Sequence, residues 1–597
     1  EEIKAGLWEQ RNQHREEKPP TQETQETQKK PKKKPWFKKK PACLKKATEP
    51  DEPEVNNDKK GFFTEPSKTL DIIYTYQSEI RKAIRKSKRK SAAGPDGLKM
   101  SVYSEACENL IFPLQALFNT INSTGLIPEN FKTAKVILIH KKKSKQNMAN
   151  YRPISMSNHI SKIWERIVNN QLITHLEQNN QLSRHQHSFR PKRGCHSNLI
   201  EMWERCIDKV DRDGPTIEMW SFDLQKAFDM LDHGKALKLC HEAGIGGLVG
   251  KSLENWLTKR TQYVQCGHAK SENKTVNKSC VQGSVLGPTI WLIYVQSLLD
   301  LLEDKCDFHA YADDVLITKK ISNTIERREF KAILKILLDW GLDYNMTWGA
   351  NKTQRMTLRY KNSRGNTPMK ISFDGNKIKP SKTLESLGIL FSKECIPYAQ
   401  IDRVKTNVKT MKTLIKKTYR IRTVSIMKKL YTTYILPRIS YCCQIWNTGL
   451  EMHLTAIEKE LESYWRLGDT KVAPKDLLGL QEQLILNDLI LMHRIWKGTS
   501  TVDFDEFFSI CDHQKKTDAE IRAKSYNKTF AKYTFAHRIY KYWNLLPSNT
   551  RNLTPGAFKK EVKTILMGNN IKKRRFLNLG LRTAISGPPP SISEQKR

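Results

Sequence analysis

Apolar positions change period several times along this chain, and each change marks an element. Residues 70 to 90 have apolar positions at helical spacing with basic residues opposite, which predicts an amphipathic helix. It ends in the turn Gly94-Pro95-Asp96-Gly97. Ala134 to His140 reads as an apolar strand, and Thr216 to Leu224 alternates loosely as another, with a helix starting over Lys226 to His233. A further helix is predicted from Pro288 to about Leu302, the proline suiting its first turn. Two short apolar runs, Phe308 to Ala310 and Val315 to Ile317, flank Tyr311-Ala312-Asp313-Asp314 and read as a tight hairpin. Leu334 to Leu342 and Ile401 to Ile415 are helical by spacing, and the next helix runs toward Leu436 and stops at Pro437. Residues 450 to 570 read as helical. Residues 1–64 and 573–597 read as disordered, because they cannot bury enough apolar surface to offset their ordering entropy.

The hairpin turn holds two adjacent carboxylates, which repel each other and need a counter-charge. A divalent metal supplies one, and carboxylate oxygens suit the hard Mg²⁺ ion. Far upstream, Asp223 closes a predicted strand. If the two strand ends meet, Asp223 and Asp313 surround one metal pair. Two such ions about 3.5–4 Å apart can clamp the attacking and leaving oxygens of a phosphoryl displacement. With a helical turn after Asp223, Phe228 comes back beside that pair. Taken singly, these residues also read as an acidic surface turn, a helix N-cap and a core aromatic.

Together, Ser221-Phe222-Asp223-Leu224-Gln225-Lys226-Ala227-Phe228-Asp229 and Tyr311-Ala312-Asp313-Asp314 resemble motifs A and C of reverse transcriptases. The wording is similar to that of non-LTR (LINE-type, Jockey- or chicken-repeat-like) retrotransposons. Other blocks follow in the family's order: Tyr151-Arg152-Pro153-Ile154-Ser155, Ser188-Phe189-Arg190-Pro191, Gln282-Gly283-Ser284 and Asn351-Lys352-Thr353. Beyond them come Leu387-Gly388-Ile389 and Trp543-Asn544-Leu545-Leu546-Pro547, so the resemblance covers roughly residues 65 to 570. Ser188 stands where the family usually has Gly.

The resemblance implies an α+β right-hand polymerase. Fingers and palm span 65–395, a thumb 396–450 and a helical extension 451–572, between a basic, Pro-rich linker (1–64) and a tail (573–597). It implies RNA-templated DNA synthesis, in the family by target-primed reverse transcription, with Asp223, Asp313 and Asp314 holding two Mg²⁺ ions. Arg152 and, among the lysines of the fingers turn, Lys142 fall to the incoming triphosphate. Gln282 falls near the sugar and templating base, and Gly283 lets the backbone approach the base pair. Lys352 becomes the proton donor to pyrophosphate, and Phe228 the ring that excludes a 2′-hydroxyl. Arg190 and Arg193 read either as template contacts or as buried ion pairs. Implied partners are template RNA, a DNA primer and target DNA, and deoxynucleoside triphosphates. Implied locations are a cytoplasmic ribonucleoprotein and the nucleus. The rivals are a group II intron-type maturase and an inactive, RNA-binding descendant of a retroelement.

Charge supports a polyanion partner. The 597 residues carry a net charge of +40 with 103 basic residues. The first sixty hold sixteen basic and twelve acidic residues, so the excess lies on the candidate globular part. No apolar run is long enough to span a bilayer, and no membrane partner is expected. The twelve cysteines form no paired Cys-x-x-Cys set, which argues for a reducing compartment and against a Cys₄ zinc site. His493, Cys511 and His513 are spaced poorly for zinc. The chain opens with Glu1-Glu2 and reads as a piece of a longer polyprotein, with an endonuclease expected on its missing N-terminal part.

Overall fold

The computed structural model describes residues 68–141, 144–212, 217–359, 371–469, 471–511, 520–527 and 529–568. The expected linker 1–64, the tail 573–597 and Lys142 lie outside the described residues.

In chain order the main strands are β1 (Thr133–His140), β2 (Tyr151–Met156), β3 (Ile217–Asp223), β4 (Arg260–Cys266), β5 (Asp307–Tyr311), β6 (Asp314–Lys320) and β7 (Gln354–Leu358). The helices that hold them are α1 (His159–Gln178), α2 (Cys195–Arg212), α3 (Gly287–Leu302) and α4 (Thr324–Asp343). An antiparallel sheet in the order β5-β6-β3-β7 forms the centre. A second sheet pairs β2 antiparallel and β4 parallel to β1, with two short strands added beyond β4.

The loose alternation of β3 follows from burial on both faces. Ile217 and Met219 join Leu316, Met356 and Leu358 in one core. Trp220 and Phe222 join Val315, Ile317, α3 and α4 in the other. The central sheet is thus the partition between two apolar layers. Inside it, Arg355 and Glu218 form a fully buried ion pair at 2.7 Å between β7 and β3.

Beyond the sheet lie the hairpin β8 (Thr383–Ser386) and β9 (Ile389–Ser392), and helices α5 (Tyr398–Thr418), α6 (Glu451–Trp465), α7 (Leu480–Trp496), α8 (Phe535–Asn544) and α9 (Pro555–Met567). Val408, Tyr464, Leu489, Trp543 and Val562 share the core of Met356, so this helical part packs directly on the central sheet through α2.

Four elements differ from expectation. The N-terminal helix covers only Gln77–Lys86, because Leu70 is held extended by bonds to the backbone at Gly244 and Gly246. The helix after Lys226 is one turn, Ala227–Met230, and Asp232 then caps a new helix, His233–Glu242, by accepting the Lys235 N–H at 3.0 Å. Pro437 stops nothing: a π-helical turn, Tyr431–Ile435, passes into Leu436–Ser440, with the proline in the first turn of that last segment. Residues 508–523 include an antiparallel strand pair, Phe508–Ile510 with Ile521–Ala523.

Candidate active site

Antiparallel pairing of β3 with β6 sets Asp223 opposite Asp314. The loop between β5 and β6 is then just Ala312-Asp313, with Ala312 at φ +56°. That conformation is uncommon for a residue with a Cβ and persists where surrounding contacts over-determine it. Two contacts do so here. The Ala312 N–H donates to Ser188 Oγ at 2.8 Å, and the Trp291 indole N–H donates to the Ala312 carbonyl at 3.0 Å. Ser188, the departure from the family's usual glycine, is therefore a brace for the turn. Sequence reasoning missed this role and that of Trp291; the departure itself was the available signal.

A cleft of ≈480 Å³ brings together Arg152, Asp223, Phe228, Gln282, Asp313 and Lys352. Lys141, one of the lysines of the expected fingers turn, lines it as well, and so does Asp229, which was not anticipated as a cleft residue. Asp314 and Gly283 are not on its wall. Asp314 is half-buried beside Asp223 in the sheet. Gly283, at φ +114°, lies against β2, where an added Cβ would come within 2.7 Å of the Ser155 carbonyl. Ser155 N–H donates to the Gln282 carbonyl at 2.8 Å, which docks this loop beside Arg152.

Residues 139–391 match the reverse transcriptase (RNA-dependent DNA polymerase) family. This stretch is a reverse transcriptase domain. The chain is 24% identical over 391 residues to the RNA-directed DNA polymerase from mobile element jockey of Drosophila melanogaster, covering 64% of this chain and 42% of that protein. It is also 24% identical over 399 residues to the probable RNA-directed DNA polymerase from transposon X-element of the same organism, with the same coverage. The chain thus spans less than half the length of these relatives. An apo telomerase structure from Candida tropicalis aligns over 49% of this chain and 59% of its own, at 14% identity and a TM-score of 0.32, too low to bear on the fold. Reverse transcriptase domains generally use divalent metal ions.

The acids of this reverse transcriptase domain fit such ions. Burial, then the charges of Asp313 and Asp223, push the Asp314 carboxyl up to about 6. Burial and Asp223 raise Asp313 too, against the opposing charges of Lys352 and Arg152. Lys352 Nζ lies 2.6 Å from Asp223 Oδ2. The donor set is oxygen only, which suits Mg²⁺. Phe228 stacks on Trp291, with centroids 5.5 Å apart, and meets Phe189 edge-on at 6.5 Å. Arg190 is buried and grips Glu177 with two bonds of 2.8 and 2.7 Å, the ion-pair alternative rather than an open template contact. Arg193 donates to the Arg184 carbonyl at 2.6 Å, and burial pushes its guanidinium down to about 10.

Proposed function

We propose that the chain is an RNA-directed DNA polymerase of a non-LTR retrotransposon, folded as a right hand. The fingers and palm take residues 65–395, the thumb 396–450 and a helical extension 451–572. The observation that carries this reading is the meeting of Asp223 and Asp313 on a cleft with Arg152 and Lys352, with Asp314 behind them opposite Asp223 in the sheet, in a chain with a reverse transcriptase domain.

In the reaction, a primer 3′-hydroxyl attacks the α-phosphate of a deoxynucleotide, and pyrophosphate leaves. Asp223 and Asp313 would hold two Mg²⁺ ions, supported by Asp314. When bound, the ions supply positive charge to the attacking and leaving oxygens. Arg152 grips the triphosphate, with Lys142 assisting from the fingers turn. Lys352 gives its proton to pyrophosphate. Gln282 borders the sugar and templating base, Gly283 holds that loop on β2, and Phe228 lies under the sugar. Template RNA enters from a cytoplasmic ribonucleoprotein, and nicked nuclear DNA supplies the primer, cut by an endonuclease on the remainder of a longer protein.

Primer extension by the purified chain on an RNA template, with Mg²⁺ and deoxynucleotides, tests this. DNA product dependent on the template is expected. RNA binding without extension on any template would instead mark an inactive RNA-binding descendant.

A further inference from the structure

Directly behind the hairpin of Asp313, three buried side chains turn their polar atoms toward one another. His187 precedes the turn-bracing Ser188, Glu201 lies on α2 and His309 on β5. They are 0%, 5% and 2% exposed, and one ligand atom from each lies within 4.8 Å of the others. His187 Nε2, Glu201 Oε1 and His309 Nδ1 have no hydrogen-bond partner. A buried polar atom left unsatisfied costs about 1–3 kcal/mol, so three at one point call for a common partner.

Within the cluster, the Glu201 carboxylate and the imidazole lone pairs favour a cation, against the opposing charges of nearby Arg190, Arg193, Arg205 and Lys209. His187 Nδ1 lies 2.8 Å from Ser197 Oγ, and that hydroxyl donates to the Gly194 carbonyl at 3.0 Å. With the hydroxyl proton directed at Gly194, the His187 proton sits on Nδ1 and the Nε2 lone pair faces Glu201 Oε2 at 3.4 Å. A lone pair facing a carboxylate is repulsive unless something positive lies between them. The alternative, an Nε2–H donated to Glu201, still leaves Glu201 Oε1 and His309 Nδ1 unsatisfied. Burial lowers the pKa of both imidazoles, so they meet a metal as neutral ligands.

We propose that His187, Glu201 and His309 bind one structural Zn²⁺ that fixes the base of the Asp313 hairpin. Two imidazoles and a carboxylate suit zinc better than Mg²⁺. Zinc bonds of about 2.0–2.1 Å set tetrahedral donors roughly 3.3 Å apart, close to the His187–Glu201 separation. His185 Nδ1 is also buried without a partner, but it falls outside this group of three, so the fourth position is left to a solvent molecule. An N–H donated to Ser197 orients His187 as outer hydrogen bonds orient metal-bound histidines. The ion would join α2, β5 and the 185–188 segment, whose backbone already pairs with Ala310 at 2.9 and 3.0 Å. The site is separate from the cleft carboxylates and stands whether or not the chain polymerises.

The test is metal content of the full chain after dialysis against metal-free buffer, followed by Zn²⁺ and Co²⁺ titration. One zinc per chain is expected in the wild type and in Asp313→Asn, and none in Glu201→Gln or His309→Ala. Co²⁺ should give the intense visible bands of a four-coordinate site, absent in Glu201→Gln. Chelation should lower the unfolding midpoint by several degrees, and Zn²⁺ should restore it. A wild-type chain that takes up no zinc overturns the proposal, and so does zinc retained by both variants. If His309→Ala does not fold, the near-isosteric Glu201→Gln decides alone.

Discussion

Lys352 Nζ lies 2.6 Å from Asp223 Oδ2, so the acid that ends β3 already has a cation beside it. A lysine there competes with a divalent ion for the same carboxylate. If it also delivers a proton to pyrophosphate, its loss removes an effect typically worth about 10²–10⁴-fold. Lys352→Ala should therefore cut the single-nucleotide rate by about 10²-fold or more while lowering the Mg²⁺ concentration needed for half-maximal rate. An unchanged rate would remove the acid role; a higher Mg²⁺ requirement would remove the competition.

Asp313→Asn should abolish polymerisation and leave RNA affinity nearly intact. Asp313 sits in the two-residue turn, while the excess positive charge is spread over the chain. Primer extension and filter binding on the same preparation separate the two effects. An equal loss in both would show that the turn also holds nucleic acid.

The acids were legible because each borders a short apolar run, where a carboxylate has no packing role. The wall residues Arg152, Phe228 and Gln282 came from motif resemblance. What remained hidden were contacts between distant segments. The Ser188–Ala312 and Trp291–Ala312 bonds and the Lys352–Asp223 pair leave no periodic trace. Pro437 was misread because a π-helical turn changes which backbone bond a proline would break. The strands at Phe508–Ile510 and Ile521–Ala523 are too short to show a period against helical flanks.

RNA affinity should fall steeply with salt, because basic contacts release counterions. Deleting residues 1–60 should change the slope of log affinity against log salt little, since their sixteen basic residues are offset by twelve acidic ones. A collapse of binding after that deletion would assign the contact to the lysines between Lys29 and Lys46 instead.

Glu204 on α2 is buried against the start of α8, accepting the Ala536 N–H at 3.1 Å, and burial pushes its carboxyl up to about 7. Unfolded, it titrates near 4.3. Between those values the folded chain holds more protons than the unfolded one, so stability falls as pH rises through the window. Each pK unit is about 1.4 kcal/mol. Glu204→Gln should raise the urea midpoint above that of the wild type at pH 8, with the difference vanishing near pH 4. A gap independent of pH would show that Glu204 does not titrate on unfolding.

Phe228 ties sugar choice to the geometry of the cleft. It sits on the single helical turn Ala227–Met230, lines the cleft and is half-buried. One face of its ring stacks on Trp291, whose indole N–H holds the Ala312 carbonyl beside Asp313. The ring is therefore backed by the group that braces the catalytic turn, and it cannot retreat without disturbing that turn. A rigid wall under the sugar would reject a 2′-hydroxyl by steric clash, and exclusion of one small group is typically worth about 1–3 kcal/mol. Phe228→Val keeps a β-branched apolar side chain against Trp291 and opens space on the cleft side. It should raise ribonucleotide incorporation relative to deoxynucleotide by at least ~10-fold, at a modest cost in deoxynucleotide rate. Competing single-nucleotide additions on one primed RNA template measure the ratio, and a thermal melt of the same variant measures the packing loss. A lower melting point and lost activity with no change in sugar preference would make Phe228 a core residue that happens to touch the cleft.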